Sequence, residues 1–396
     1  MKVIIITNTF PNSAEKTRGI FTYQIVKSLQ KKCDIRVIAP LPWAPRLLTK
    51  NFLPKCPHVQ VPFKENIGSI EVYHPRYLVI PKLVGFMHAV FMFFPLFKLL
   101  NKLEKEETID LINAHWIFPD GVAATWVARI LRKPIILTAL GCDINLYSTM
   151  ILRRFQIARA LKRANHITVV SSSLKGTVCS LKIPEENVDV IPNGVDLALF
   201  SIIDKFEARK KLGISPNQSV ILTVGSLDEV KGTKFLIEAL GKLRNSNCHL
   251  PLLISIGDGP LRLSLCSLAE KLGIAEHVHF LGKRPHREIP LWMNAANLFC
   301  LPSIREGHPN VVIEALACGV PVVASNVGAI PEIITRTNGY IWRNRNMSDL
   351  GRHLKYVLDR SWNRIEIRSN VANYSWENCA SRYHAVYSAL LASQKS

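Results

Sequence analysis

The sequence predicts an α/β protein built of two doubly wound parallel-sheet domains facing across a cleft, and three observations carry that expectation. Short apolar runs alternate with amphipathic segments from the first residues onward; the pattern stops at a turn-forming cluster near position 193; it then restarts as a second set of similar size. Such alternation favours parallel strands covered on both faces by helices. A chain of 396 residues leaves room for about two domains.

In chain order, "KVIIIT" reads as the first buried strand, "FTYQIVKSLQKK" as an amphipathic helix and "DIRVIAP" as the second strand. The series continues through "DLINAHW", "GVAATWVARIL", "PIILTAL" and "HITVVSS". At Pro192, Asn193 and Gly194 it breaks, which places a boundary there and a first domain over 1–195. Beyond it, "SVILTVG" precedes the helix "TKFLIEALGKL", "PLLISIG" precedes "PLRLSLCSLAEKLG", and "HVHFLG", "NLFCLPS", "NVVIEALACG" and "PVVAS" complete a second domain over 196–370. The last helix, "WENCASRYHAVYSALL" in 371–396, has no destination legible from pattern alone.

The chain carries 50 Lys and Arg against 30 Asp and Glu, a formal charge of +20. Residues 1–195 hold 26 of the basic and 13 of the acidic ones, so an anionic partner or surface is expected mainly on the first half. Nine cysteines show no CxxC and no paired metal spacing, which argues against a disulfide framework or zinc site and for a reducing compartment. The short apolar run in "MKVIIITNTFPNS" suits a strand better than a signal peptide, so a cytoplasmic location is expected. The apolar run Leu83–Phe97 falls short of the roughly 20 residues needed to span a bilayer. Burial in the domain is favoured for it over an interfacial position with Lys82, Lys98 and Lys102 reaching lipid phosphates.

Chemistry gathers in "IREGHPNVVIEALACGVPVVAS". Pro309 suits a first helical position and Gly319 a helix stop. Gly307, His308 and Asn310 then lie at a helix N-terminus whose amides can receive an anion. Glu306 before it and Glu314 within it could accept hydrogen bonds from ligand hydroxyls, although capping and solvation would explain both equally well. In "TVGSLDEVKG", Gly225, Ser226, Lys231 and Gly232 sit between a strand and a helix, where Lys231 could pair with a diphosphate. "SIGDGP" supplies Gly257 in the next such loop and "SAEKTRGIF" supplies Gly19 in the first domain; each glycine alone is more often geometry than chemistry. His115 and Asp143 are candidates on the acceptor side, against the alternatives of a structural histidine and a turn-capping aspartate. The basic run "ILRRFQIARALKRANH" reads first as a solvated face.

Neither a GxGxxG with a downstream acid nor a GxxxxGK[ST] is present, which disfavours nicotinamide and P-loop chemistry. No Asp-x-Asp offers a metal-bridged diphosphate, so leaving-group charge would fall to Lys231 and helix amides.

With those residues in view, "EGHPNVVIEALACGVPVVAS", "VIPNGVD", "GDGP", "NVGAIPEII" and "YSWENCASRYHAVY" resemble, in order and spacing, the retaining glycosyltransferases of family 4 over nearly the whole chain. "PNSAEKTRGIF", "AHWIFPDGVAA" and "GCDINLY" resemble the branch that builds teichuronic acid and other cell-surface polysaccharides. The resemblance implies the GT-B fold, with the last helix crossing back to the first domain. It implies a hexosyltransferase that needs no cofactor or metal and moves a sugar from a UDP- or GDP-linked donor to a glycan or lipid-linked acceptor. Peripheral contact with an anionic membrane fits such an acceptor; nucleic acid does not. Glu306 would hold donor sugar hydroxyls, Glu314 the ribose hydroxyls, Lys231 and the Gly307 amides the diphosphate, and Gly19 would admit donor or acceptor. Many members have an arginine where this chain has Ser226, and a histidine where it has Leu140. Those departures keep an inactive sugar-nucleotide-binding partner, and a GT-B nucleotide-sugar epimerase, as alternatives.

Overall fold

A computed structural model describes residues 1–44, 60–80, 85–244, 250–343 and 346–394. The chain divides into two units, Met1–Gly194 with Trp376–Ser396, and Val195–Ser375.

Among the described residues, ten strands belong to unit 1: β1 (Lys2–Ile6), β2 (Asp34–Ile38), β3 (Leu41–Trp43), β4 (Lys64–Ile67), β5 (Ile70–Tyr73), β6 (Arg76–Leu78), β7 (Leu111–His115), β8 (Ile135–Ala139), β9 (His166–Val169) and β10 (Val188–Val190). Eight of them form one sheet in the order β10-β9-β8-β7-β1-β2-β5-β4, parallel except for the β4–β5 pair. β3 and β6 pair separately. The two-residue alternation of a strand explains how β1 serves both faces: Ile4 and Ile6 enter one core cluster, Val3 and Ile5 the other.

Within Met1–Gly194, the described helices of six residues or more are α1 (Ile20–Leu29), α2 (His88–Glu106), α3 (Val122–Leu131), α4 (Ile151–Leu161) and α5 (Ser172–Cys179). With its leading turn, the span Gly85–Glu106 is long and apolar enough to cross a membrane by length and composition. Ala89, Met92, Leu96, Leu99, Leu100 and Leu103 nevertheless recur at helical spacing and are buried in the core, as the sequence favoured for this segment. Phe93 meets Trp126 of α3 edge-on at 6.1 Å.

Unit 2 holds β11 (Val220–Val224), β12 (Leu252–Ile256), β13 (Val278–Gly282), β14 (Leu298–Leu301), β15 (Val322–Ser325) and β16 (Gly339–Trp342). They form one parallel sheet in the order β13-β12-β11-β14-β15-β16. Its described helices of six residues or more are α6 (Lys205–Leu212), α7 (Thr233–Arg244), α8 (Arg262–Lys271), α9 (Ile289–Ala295), α10 (Asn310–Ala317), α11 (Met347–Asp359) and α12 (Arg364–Ser369). In both sheets the strand order reverses beside the first strand, between β1 and β7 and between β11 and β14. Loops at the carboxyl ends of those strands are where a doubly wound sheet binds ligands.

The last helix, α13 (Trp376–Ser393), belongs to unit 1. Trp376, Tyr383 and Tyr387 are buried in the core cluster that holds Ile25 and Val26 of α1, and Asn113 of β7 donates to the Tyr387 hydroxyl at 2.6 Å. Residues 371–375, expected with this helix, stay in unit 2 instead. Val371 is buried in the unit 2 core, and the Val195 amide donates to the Tyr374 carbonyl at 2.6 Å.

Candidate active site

The strand-order reversal of unit 2 brings two loops together. After β11, Asp228 caps a short turn by accepting from the Lys231 amide at 3.1 Å, and Gly232 follows in the left-handed region at φ 65°. A Cβ on Gly232 would stand 2.1 Å from the Pro302 carbonyl oxygen, so only glycine lets this loop press against the one after β14. The approach sets Lys231 Nζ 2.7 Å from Glu306 Oε1, and the same oxygen accepts from Ser303 Oγ at 2.7 Å. Among the described residues, this ion pair is the point where the β11 and β14 loops meet through charge.

A third loop completes the wall. Gly328, at φ 56°, lies so close to residues 306 and 307 that a Cβ would stand 2.5 Å from the Glu306 carbonyl oxygen. The Ala329 amide donates to the Gly307 carbonyl at 3.0 Å. Helix α10 then starts at Asn310, with Pro309 at the cap position rather than the first helical position, and no side chain caps it. Along this helix Asn310 and every residue from Val312 to Ala317 are buried, Glu314 included.

Glu314 meets His286, whose Nε2 lies 2.8 Å from Glu314 Oε1. Burial disfavours the charged imidazole, but the hydrogen bond and charge of Glu314, with Asp196 farther off, outweigh it and raise the pKa above the ordinary value. His308 is buried against Tyr374, with ring centroids 6.0 Å apart, and burial pushes its pKa down to about 4 despite its contact with Asn310.

Two expected donor residues serve the loops in this structure. Ser226 Oγ donates to Asp228 Oδ2 at 2.6 Å. Gly257 lies at φ 141°, where a Cβ would stand 1.7 Å from the Gly225 carbonyl oxygen, so its place in the pattern is explained by the close passage of two loops.

In unit 1, Gly19 is left-handed at φ 58° at the start of α1, and a Cβ there would stand 2.0 Å from the Thr9 carbonyl oxygen. The glycine lets the 13–19 loop close onto the end of β1. His115 ends β7, buried and stacked on Tyr383 at 5.7 Å; burial lowers its pKa to about 4, so the ring is neutral near pH 7. Asp143, the other acceptor-side candidate, has its carboxylate engaged by backbone amides. It is fully buried, and its carboxylate accepts from the backbone amides of Gly141 at 2.7 Å, Ile117 at 2.9 Å and Leu140 at 3.1 Å. It closes a turn, as its alternative reading held.

Sequence reasoning gave no role to His286, Ser303, Gly328, Arg305 or Asp120. Arg305 adjoins Glu306, and its buried Nε has no hydrogen-bond partner among the described residues. Asp120 is fully buried, and that burial, with the charge of Asp143, raises its pKa against the pull of nearby backbone amides and Arg18. The "REG" and "FPDG" strings carried the only signal for these two. Among the described residues, no group of three His, Cys, Asp or Glu side chains is placed to hold a metal ion.

Comparison with known proteins assigns the family. Residues 19–199 match the description "Glycosyltransferase Family 4" and residues 204–376 match "Glycosyl transferases group 1". The chain is 30% identical over 395 residues to TuaC of Bacillus subtilis (strain 168), a protein named for teichuronic acid biosynthesis, covering 97% of this chain and 95% of that one. Among solved structures, sucrose-phosphate synthase from Thermosynechococcus elongatus superposes with a TM-score of 0.77 at 19% identity, covering 99% of this chain and all of the other. HepE from Anabaena in complex with UDP gives 0.74 at 20% identity, covering 98% of this chain and all of the other. With two Rossmann-like units of the GT-B fold and these relatives along its whole length, the chain belongs to glycosyltransferase family 4 and is a sugar-transferring enzyme.

Proposed function

We propose that this enzyme is a metal-independent, retaining hexosyltransferase that moves a sugar from a UDP- or GDP-linked donor to a glycan or lipid-linked acceptor of a cell-surface polysaccharide. The observation that carries the reading is the Lys231–Glu306 pair across the β11/β14 reversal. A lysine there offers the charge a leaving diphosphate needs, and the neighbouring carboxylate offers an acceptor for sugar hydroxyls. In the resting site they neutralise each other. A donor parts them, its diphosphate taking Lys231 and the amides at the start of α10, its sugar hydroxyls taking Glu306. Glu314, on that helix and paired with His286, takes the ribose hydroxyls, His115 belongs to the acceptor side, and Gly19 admits donor or acceptor.

In this reading the bond from the sugar's anomeric carbon to the diphosphate oxygen breaks on the face where the acceptor oxygen bonds, and the departing diphosphate takes the acceptor's proton. The oxocarbenium-like transition state needs positioning and charge stabilisation more than a strong protein base. UDP in the HepE structure and the teichuronic acid name of the Bacillus subtilis relative support the donor and product classes. The enzyme works in the cytoplasm, at the inner face of the plasma membrane, where its basic first half meets anionic lipid.

The test is turnover of UDP- and GDP-hexoses with lipid-linked acceptors, with and without chelator, followed by NMR of the product. The reading expects the donor's anomeric configuration in the product and the same rate with chelator. An inverted product, or activity that needs a divalent ion, overturns it. One observation favours a second reading, an inactive sugar-nucleotide-binding partner: Ser226 gives its loop no cation and is engaged by Asp228. Donor binding with no turnover on any acceptor would select it.

A further inference from the structure

We propose that the outward face of α4 in unit 1 docks on an anionic lipid bilayer, with Ile151, Leu152 and Phe155 entering the headgroup boundary and Arg159 and Lys162 meeting lipid phosphates. The neighbouring 83–97 segment is the most membrane-like in the sequence, but burial was favoured for it, and α2 turns its apolar stripe into the core. A cluster of exposed apolar side chains lies on α4.

Ile151 is 85% exposed, Phe155 66% and Leu152 57%, all within the first turn and a half of α4, and Met150 just before it is 44% exposed. At 3.6 residues per turn, positions 151, 155, 159 and 162 fall within about 80° of one another, with 152 beside them. One face thus carries an apolar tip followed by two cations. The opposite face is fixed to the protein: Ile157, Ala160 and Leu161 are buried in the core, and Arg153 lies over the rings of Tyr147 and Phe118 at 4.7 and 5.2 Å. Gln156 Nε2 donates to the Phe86 backbone carbonyl at 3.0 Å, which ties α4 to the turn that leads into α2. The apolar tip is therefore held outward by a rigid helix and is not a frayed end.

Charge decides the occupant. Between Asp143 and Glu185 the chain has no acidic residue and seven Lys or Arg. Arg163 lies close enough to Arg159 and Arg129 for their charges to act on it, and Arg129, Arg132 and Arg163 line a hollow of about 240 Å³ with no carboxylate partner among the described residues. A two-fold pairing of this face with a second copy would set these cations against each other. An anionic bilayer supplies both an apolar boundary for the tip and phosphates for the cations, the combination that holds interfacial helices.

This deepens the reading of a lipid-linked acceptor and rests on it for its purpose, though not for its test. Full-length protein is sedimented with vesicles of phosphatidylcholine alone and of phosphatidylcholine mixed with phosphatidylglycerol, at low and high salt. Wild type is expected on the mixed vesicles, less so at high salt. The variant I151S/L152S/F155S should bind at least about tenfold more weakly. R159Q/K162Q should lose much of the salt dependence. A dye attached in F155C, with the native cysteines kept and an otherwise unsubstituted protein labelled as control, should shift to the blue only with mixed vesicles. Equal sedimentation of wild type and the apolar variant, or equal binding to both vesicle types, overturns the proposal. So does a wild-type dimer that the apolar variant converts to monomer without vesicles. Transfer to a water-soluble acceptor, measured on the same proteins, is expected unchanged. If transfer fails throughout while vesicle binding follows the pattern, the functional reading falls and the docking surface stands.

Discussion

Glu306 and Glu314 are eight residues apart, yet each is held by a residue far from it in sequence. Lys231 holds Glu306 from 75 residues away, and His286 holds Glu314 from 28. The carboxylates were legible because of their place around a helix start; their partners were not, because a lysine in a βα loop or a histidine in "KRPHREIP" carries no local sign of its tertiary neighbour. The partners of Asp143 were hidden for the same reason: three amides from two segments meet its carboxylate, which local pattern marked only as a turn cap. The His286–Glu314 pair has a pH consequence. The folded pKa of His286 is raised above its ordinary 6.5, so the stability it adds is fully present below about pH 6.5 and is lost as pH rises through the raised value. His286→Asn should remove that dependence, giving a Tm that falls less steeply above pH 6.5 than wild type in thermal scans. Parallel curves for the two proteins would show that the pair does not titrate as described.

At the scale of elements, periodicity made the strands and helices of both units readable, and tertiary contacts decided the rest. Helix α10 is buried along nearly its whole length because β14, β15, α9 and α12 pack against it. The last helix shows the limit most clearly. Its sequence pattern left its destination open, and the resemblance to the family supplied it. In the structure, α13 is anchored through Tyr387, whose hydroxyl accepts from Asn113, while Asn113 Oδ1 accepts from Thr138 and Thr138 pairs with Thr168. This buried polar chain runs across β7, β8 and β9. Tyr387→Phe leaves the Asn113 amide unsatisfied in the core, which costs about 1–3 kcal/mol. Urea unfolding should show that loss, with little change in the cooperativity of the transition. No change in the midpoint would mean that the hydroxyl contributes nothing net to the anchor.

For the whole molecule, two α/β units were legible because the break at 192–194 separates two runs of the same grammar, and the second boundary was misplaced by five residues because Val371 and Tyr374 pack by contacts no local pattern marks. The charge excess of the first half was legible as well, but its use was not: an exposed apolar tip on a basic helix is visible only once the buried face of that helix is known. In the proposed function the β11/β14 reversal is the donor site, and the claim on which that reading turns is that a donor separates Lys231 from Glu306. Calorimetric titration of UDP and GDP into wild type, Lys231→Ala, Glu306→Gln and the double variant, with transfer measured alongside, tests it most directly. The account predicts that Lys231→Ala loses about 1.5–3 kcal/mol of nucleoside diphosphate binding, roughly 10- to 150-fold. It predicts that Glu306→Gln binds the diphosphate at least as well as wild type, because the lysine has lost its competitor, while transfer falls sharply. Equal affinity in wild type and Lys231→Ala, or unchanged turnover in Glu306→Gln, would contradict it.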